Sequence, residues 1–465
     1  MADLAPQRQP EEPERRGEPP GTAGGPLTTR AALERTGAWR GVARWRWQIF
    51  AVTWVAYAGF YFARQAFSVA KLGILEDPAA GAQLTERVLG VVDAVYLLAY
   101  AVGQFVWGMW ADRFGPRVVV AGGMAGAIVA SVAMGASAAL PVFGVAMVLQ
   151  GLAQSAGWAP LCKNMSSFFP VRERGRVLGV WSTNYAFGGL VAPPFLGWWA
   201  YAVFDAWQAA FFAGAATLAV VLVLFLLFQR DSPRHAGLTV PEPRREAAPE
   251  TGGGTARTRT GVYRATLRDP MVRTLGAAYF LLKPARYAIL LWGPVIVSRR
   301  LPEIDKVGAT LVPVAFGIAG VVAPVVIGWI SDTVCGSRRV PPCVVALGLL
   351  TLVMALFTPL TAAGSVPVMI AVLGAVGLTV YAADAMISCV AAVDFGTEDG
   401  AGTAAGVVNG CGSLGAVLGG LLPGFLSGTA LFYGFAAAAF VAGALLLPHW
   451  NRRPRAADPQ PSQGS

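Results

Sequence analysis

The chain has 465 residues, 55% hydrophobic and only 13% charged, with 36 Lys and Arg against 26 Asp and Glu for a formal charge of +10; its mean hydropathy is +0.55. Soluble domains carry about 25% charged residues, so this composition argues against a water-soluble enzyme and excludes a disordered chain. The five Cys have no paired spacing, which removes a disulfide scaffold, a metal–thiolate site and a redox motif.

Residues 1–46 are polar, rich in Pro and Glu, and hold eight of the basic residues, without the short apolar core of a signal peptide. They predict a disordered basic tail. Six apolar runs follow, starting near residues 47, 88, 117, 141, 175 and 207. Residues 229–271, containing PEPRREAAPETGGGTARTRTG, read as a flexible cytoplasmic linker. Six more runs start near 272, 307, 340, 366, 401 and 429, and 449–465 form a second tail. A helix crossing ~30 Å of hydrocarbon needs about 20 apolar residues. The expected fold is therefore an all-α polytopic membrane protein with twelve transmembrane helices in two pseudo-symmetric six-helix bundles, 47–228 and 272–448. With the N-terminus inside, the outer loops hold Lys71, Arg87, Arg299, Arg300 and Lys306, and three more bases lie within spans, leaving 28 inside. Both termini are expected to be cytoplasmic. The basic charge then serves membrane topology, and no nucleic-acid partner is expected.

An internal repeat supports the two halves. Gly108-Met-Trp-Ala-Asp112-Arg113-Phe-Gly115-Pro-Arg117 follows the second span, and Gly328-Trp-Ile-Ser-Asp332 follows the eighth, offset by 220 residues. Gly permits close approach of two helices and Asp pairs with a base or caps a helix, as a gating loop requires. A second echo joins Gly188 and Gly189 in the fifth span with Gly412 and Gly415 in the eleventh, open to a reading as packing or as a sliding contact.

Charges inside the spans carry the chemistry. A mid-membrane ionisable group costs at least ~2.5–3.5 kcal/mol on insertion scales, so each needs a partner or a role. Arg64 lies deep in the first span and Arg286 deep in the seventh, offset by 222 residues. One from each half facing a central cavity makes an anion site, because the guanidinium fork suits bidentate phosphate or carboxylate recognition; the alternative is that each pairs privately with Asp93 or Asp384. Lys283 stands one turn before Arg286, free to bind a second anionic group or to neutralise Asp384. Asp93 and Asp384 are candidate proton carriers or structural ion-pair members. Tyr57 and Tyr61 share the Arg64 face; Tyr100, Tyr185 and Tyr381 and the amides Gln104, Gln150, Gln154 and Asn184 add neutral hydrogen-bonding groups.

The loop Gly108–Arg117 resembles the signature loop of the major facilitator superfamily. RWRWQIF and GFYFARQAFSVA in the first span, GWAPLCKNM and ERGRVLGVWS around the fourth and fifth, RYAILLWGP in the seventh and GTAAG in the eleventh resemble the organophosphate:phosphate antiporter family, over about Trp45 to Leu447. The resemblance implies phosphate held by Arg64 and Arg286, cavity tyrosines at Tyr57, Tyr61, Tyr100 and Tyr381, and rocker-switch exchange of an organophosphate for inorganic phosphate without nucleotide hydrolysis or cofactor. Departures are Tyr185 where the glycerol-3-phosphate branch has His, Gln65 and Gln104 in place of Lys, Ser413 in place of Tyr, Leu291 in place of Asp, and the added Lys283 and Asp384. Competing readings are a proton- or sodium-coupled carboxylate symporter, drug efflux, and a sensor that binds the ester without transport. No nucleophile–base pair or metal motif appears, so neither an enzyme nor a metal site is expected; the protein is expected to be a monomer in the plasma (inner) membrane.

Overall fold

The computed structural model describes residues 29–169, 177, 180–181, 183–231, 268–336, 338–391, 401–426 and 428–451. By contact the chain divides into Met1–Trp45, which holds the first turns of α1, and Arg46–Ser465. The described residues are helical with short connections. The first half of the sequence forms α1 (Thr29–Glu76), α2 (Pro78–Gln83), α3 (Glu86–Phe114), α4 (Pro116–Ala136), α5 (Leu140–Ser155), α6 (Trp158–Phe168), α7 (Thr183–Gly197) and α8 (Gln208–Phe228). The second half forms α9 (Pro270–Arg300), α10 (Lys306–Leu311), α11 (Val314–Thr333), α12 (Val340–Thr361), α13 (Val366–Ala385), α14 (Ala401–Phe425) and α15 (Thr429–Leu446).

Nine helical stretches among the described residues are long and apolar enough to cross a membrane. The stretches at α1, α3 and α7 fall outside that set, and α7 is described over 15 residues only. Local signals account for the boundaries. Asp269 caps α9 by accepting from the Met271 and Val272 N–H groups, with Pro270 in the first turn where its missing N–H costs nothing. Gly115 joins α3 to α4 at φ +83°, a conformation that a Cβ would strain, and Pro116 opens α4.

The glycine echo resolves into packing at three of its four positions. Pro284 has no N–H to give the Phe280 carbonyl, and α14 lies against that bared backbone: a Cβ on Gly415 would stand 2.2 Å from the Phe280 oxygen, and one on Gly419 2.7 Å from the Pro284 oxygen. Gly412 is equally tight on Tyr279, at 2.3 Å. In the first half, a Cβ on Gly188 would meet Tyr61 Cβ at 2.7 Å, seating α7 on α1. Gly189 is in ordinary contact distance of Tyr61. Elsewhere α3 packs along α5 and α14, α4 along α8, α11 along α13 and α12 along α15.

The two halves meet at the end of the bundle where α1 runs into α2, here termed the far end. Hydrogen bonds and ion pairs between the halves cluster there. Arg299 clasps Glu86 through two nitrogens, Lys306 meets Glu76 at 2.8 Å, and Lys71 Nζ donates to the Leu291 carbonyl at 3.0 Å. Gly90 of α3 and Gly424 of α14 lie backbone to backbone. Toward the opposite end, Asn409, Gly410 and Leu414 on α14 are exposed.

Lys71 corrects the sequence reading. It is not an outer-loop charge but a fully buried residue of α1, ion-paired with buried Asp93 and packed 4.1 Å from the Trp292 ring. The helix continues through Lys71 because the apolar run extends to Leu75, and Asp93 compensates the cation. At the opposite end, the backbone N–H of Arg117 donates to Asp231 Oδ1 at 2.7 Å, and Asn164 Nδ2 donates to the Arg230 and Asp231 carbonyls at 2.9 and 3.0 Å. The start of the expected linker is thus anchored on α4 and α6; residues 232–267 lie outside the described residues, as do both tails apart from 29–46 and 449–451. Arg113 is exposed beside Phe114. The surroundings of Gly108 and the side chains of Asp112 and Asp332 lie outside the described residues.

Candidate functional site

Residues 57, 61 and 64 are spaced one and two turns apart on α1, so their side chains share a face. Tyr57 is wedged among Tyr61, Trp158 and Trp181, which fixes the aromatic base of the site. Above it, Arg64 lies 4.7 Å from the Tyr61 ring and 4.8 Å from the Tyr100 ring. Its Nε donates to Gln154 Oε1 at 2.9 Å, and the Tyr96 hydroxyl donates to the same oxygen at 2.8 Å. Arg64 Nη2 is buried without a partner. No carboxylate pairs with Arg64 among the described residues; Asp93 is committed to Lys71.

Arg286 on α9 lies 4.4 Å from the Tyr381 ring of α13. Its Nη1 donates to Asp384 Oδ2 at 2.8 Å, while Nε is buried and unpartnered. Lys283, one turn earlier, meets Asp384 Oδ1 at 3.0 Å, and the Tyr279 hydroxyl donates to that oxygen at 3.1 Å. Of the alternatives open in the sequence, Lys283 and Arg286 thus both neutralise Asp384. Lys283 also packs on the Tyr279 ring, 4.5 Å from its centre.

A cavity of about 40 Å³ runs between the halves, lined by Tyr61 and Gln65 of α1, Tyr185 of α7, Arg286 of α9 and Tyr381 of α13. Gln65 Oε1 and Ser68 Oγ, both buried on this wall, have no partner. Arg64 borders a separate void of about 10 Å³ with Asp93 and Gln150. Tyr61, on whose ring Arg64 rests, lines this cavity together with Arg286, and the Tyr287 ring lies 5.6 Å from Lys283. Pockets that enclose organic ligands measure ~300–1,000 Å³; an anion larger than a few waters therefore enters only if the halves part.

The chain matches the model of the Major Facilitator Superfamily over residues 49–392 and 304–465. It belongs to that superfamily. This superfamily member is similar to the glycerol-3-phosphate transporter of Bacillus subtilis (strain 168), 27% identical over 385 residues, 80% of this chain and 84% of the relative. It is also similar to the membrane sensor protein UhpC of Escherichia coli (strain K12), 30% identical over 420 residues, 88% and 92% of the two chains. Its fold is that of a bacterial homologue of the human lysosomal transporter Spinster, solved inward-facing and unoccupied: TM-score 0.68 at 14% identity, covering 87% of this chain and 95% of that one. As a bacterial-type member it is a multi-pass protein of the plasma (inner) membrane.

Sequence reasoning placed Arg64, Arg286, Lys283, Tyr57, Tyr61, Tyr100, Tyr185 and Tyr381 around one cavity; the structure sets Arg64 against Tyr61 and Tyr100, sets Arg286 against Tyr381, joins Arg286 and Lys283 to Asp384, and lines one cavity with Tyr61, Tyr185, Arg286 and Tyr381. Asp93 stands apart, on Lys71. Tyr96, Tyr279 and Tyr287 were missed. The signal for two of them was available: Tyr279 and Tyr287 stand four residues before and after Lys283, on its own helical face.

Proposed function

We propose that this superfamily member is a secondary transporter that exchanges an organic phosphate ester for inorganic phosphate by alternating access. The observation carrying the reading is the pair of interior guanidiniums, one from each half, each seated on tyrosine rings and each retaining a buried nitrogen without a partner. Arg64 has no carboxylate partner among the described residues, a costly state for a cation in a low-dielectric interior, and a phosphoryl dianion spanning both arginines would supply the missing charge through bidentate, charge-assisted hydrogen bonds. Bound anion thereby lowers the cost of rocking the halves, which favours exchange over net flux. Arg64 and Arg286 hold the phosphoryl group; Tyr57, Tyr61, Tyr100, Tyr185 and Tyr381 shape the cavity, with Lys283 supporting the second arginine.

The chain is read as twelve spans in two bundles, 47–228 and 272–448, with cytoplasmic termini, acting as a monomer and not as an enzyme. The far end then faces outward, and its cross-half bonds describe a carrier closed to the outside. Gly108, Asp112, Arg113, Gly115, Arg117 and Asp332 form the inner gating loops. The similarity to a protein named glycerol-3-phosphate transporter supports a phosphate ester as the substrate. A proton-coupled carboxylate symporter is disfavoured because Asp93 and Asp384, the candidate carriers, are both engaged by cations. The similarity to UhpC favours one second reading, a phosphate-ester sensor. Uptake of labelled glycerol-3-phosphate and glucose-6-phosphate into proteoliposomes separates them: uptake that requires phosphate inside the vesicles supports exchange, whereas binding without uptake supports the sensor.

A further inference from the structure

The two arginines are held by electrically different partners. Arg64 is oriented through Nε by the neutral amide of Gln154, so its charge is uncompensated. Arg286 is oriented through Nη1 by a carboxylate. That carboxylate is divided in its attachments: Oδ1 takes both Lys283 and the Tyr279 hydroxyl, while Oδ2 has Arg286. Asp384 is thus anchored on one oxygen by groups of α9 and lends the other to the guanidinium. Arg286 Nε, on the other edge of the fork, stays buried and unpartnered. Arg286 lines the cavity, and Asp384 is not among the lining residues.

We propose that Asp384 is the resident counter-anion of the site, a positioning residue that both aims Arg286 at the cavity and holds down the affinity for a phosphoryl group by compensating one of three clustered cations. The proposal rests on the phosphate-exchange reading. Arg64, Lys283 and Arg286 supply three positive charges against one from Asp384, leaving two, the charge of a phosphoryl dianion. A site left with three would bind the dianion more tightly and release it more slowly, which impairs a carrier whose turnover depends on release.

The test uses the purified full-length protein and three variants, with binding of inorganic phosphate measured by calorimetry and phosphate exchange measured in proteoliposomes. Asp384→Asn keeps the shape and an acceptor for Arg286 while removing the charge; phosphate Kd should fall about tenfold, since a unit charge within several ångströms in a partly desolvated site is felt at that scale, and maximal exchange rate should fall with it. Lys283→Met should move Kd the opposite way, upward by a similar factor. The double variant Asp384→Asn/Lys283→Met restores the parental charge balance and should return Kd to within about threefold of the parent. A residue with a purely structural role predicts losses in both single variants and a larger loss in the double one. Asp384→Asn with unchanged or weaker binding, beside a parent that binds phosphate, overturns the counter-anion role and leaves the exchange reading standing. A correctly folded parent that binds no phosphate overturns both. Should one variant fail to fold, the other single variant still carries a signed expectation, and the wrong sign overturns the proposal.

Discussion

Replacing Lys71 by Met isolates the contact that ties the cavity to the far-end closure. Lys71 and Asp93 are 0% and 1% exposed, so removing the cation strands a buried carboxylate, a loss of about 3–5 kcal/mol of stability. Only part of that loss bears on opening. The ion pair lies within the first half and survives in either state of the carrier, whereas the bond from Lys71 to the Leu291 carbonyl crosses the halves. A hydrogen bond from a charged group contributes about 1.5–3 kcal/mol, so its loss raises the ratio of open to closed far ends roughly 10- to 150-fold. Spin labels on Ala79→Cys and Ala362→Cys, both exposed at the far end on opposite halves, report that ratio as a distance distribution. The parent should give mainly the short distance and Lys71→Met a marked longer population; the double variant Lys71→Met/Asp93→Leu should recover thermal stability while keeping the longer population. An unchanged distribution in both variants would refute the assignment of Lys71 to the closure.

Other consequences can be read separately. Gly415→Leu must place a side chain where a Cβ alone would be 2.2 Å from the Phe280 oxygen, so α14 cannot seat on α9; we expect a loss of more than about 3 kcal/mol, read as a collapsed melting temperature in detergent. Gly406→Ala, with nothing within 4 Å of its would-be Cβ, should be tolerated. Asp77 caps α2, and the Trp207 indole N–H together with the backbone N–H groups of Ala80 and Ala79 holds its carboxyl below the ordinary range. A depressed folded value means stability that is in place above the unfolded value near ~3.9 and lost as the pH falls through the folded one; Asp77→Asn should flatten the melting temperature below about pH 4 relative to the parent. The Glu86–Arg299 clasp is partly exposed, 29% and 44%, and a double-mutant cycle on it should return only about 0.2–1 kcal/mol, diminished by salt.

Much of the fold was legible because the bilayer imposes a period and a length: the apolar runs near 117, 207, 340 and 429 each became one helix of span length. The arginines were legible for the converse reason, that a charge in such a run is costly enough to demand an explanation. Lys71 escaped because counting charges across loops treats every base near a span end as solvated, whereas two turns beyond Arg64 the apolar run still continues, and the cations considered for Asp93 were an Arg or Lys283. The partner of Arg286 could not be chosen from sequence, since Asp384 is separated from it by 98 residues and only the packing of α13 on α9 brings them together. Tyr96 escaped for the same reason: its hydroxyl reaches Arg64 through Gln154, a relay between α3 and α5 that no local spacing announces.

The claim on which the account depends is that Arg64 and Arg286 form one phosphoryl site. Exchange of labelled inorganic phosphate across phosphate-loaded proteoliposomes, with Arg64→Lys and Arg286→Lys beside the parent, tests it most directly, because lysine keeps the charge and loses the planar fork. The account predicts saturable exchange in the parent, competed by phosphate esters, and a fall of at least about 100-fold in each single variant. Exchange that survives either substitution near the parental rate would contradict it.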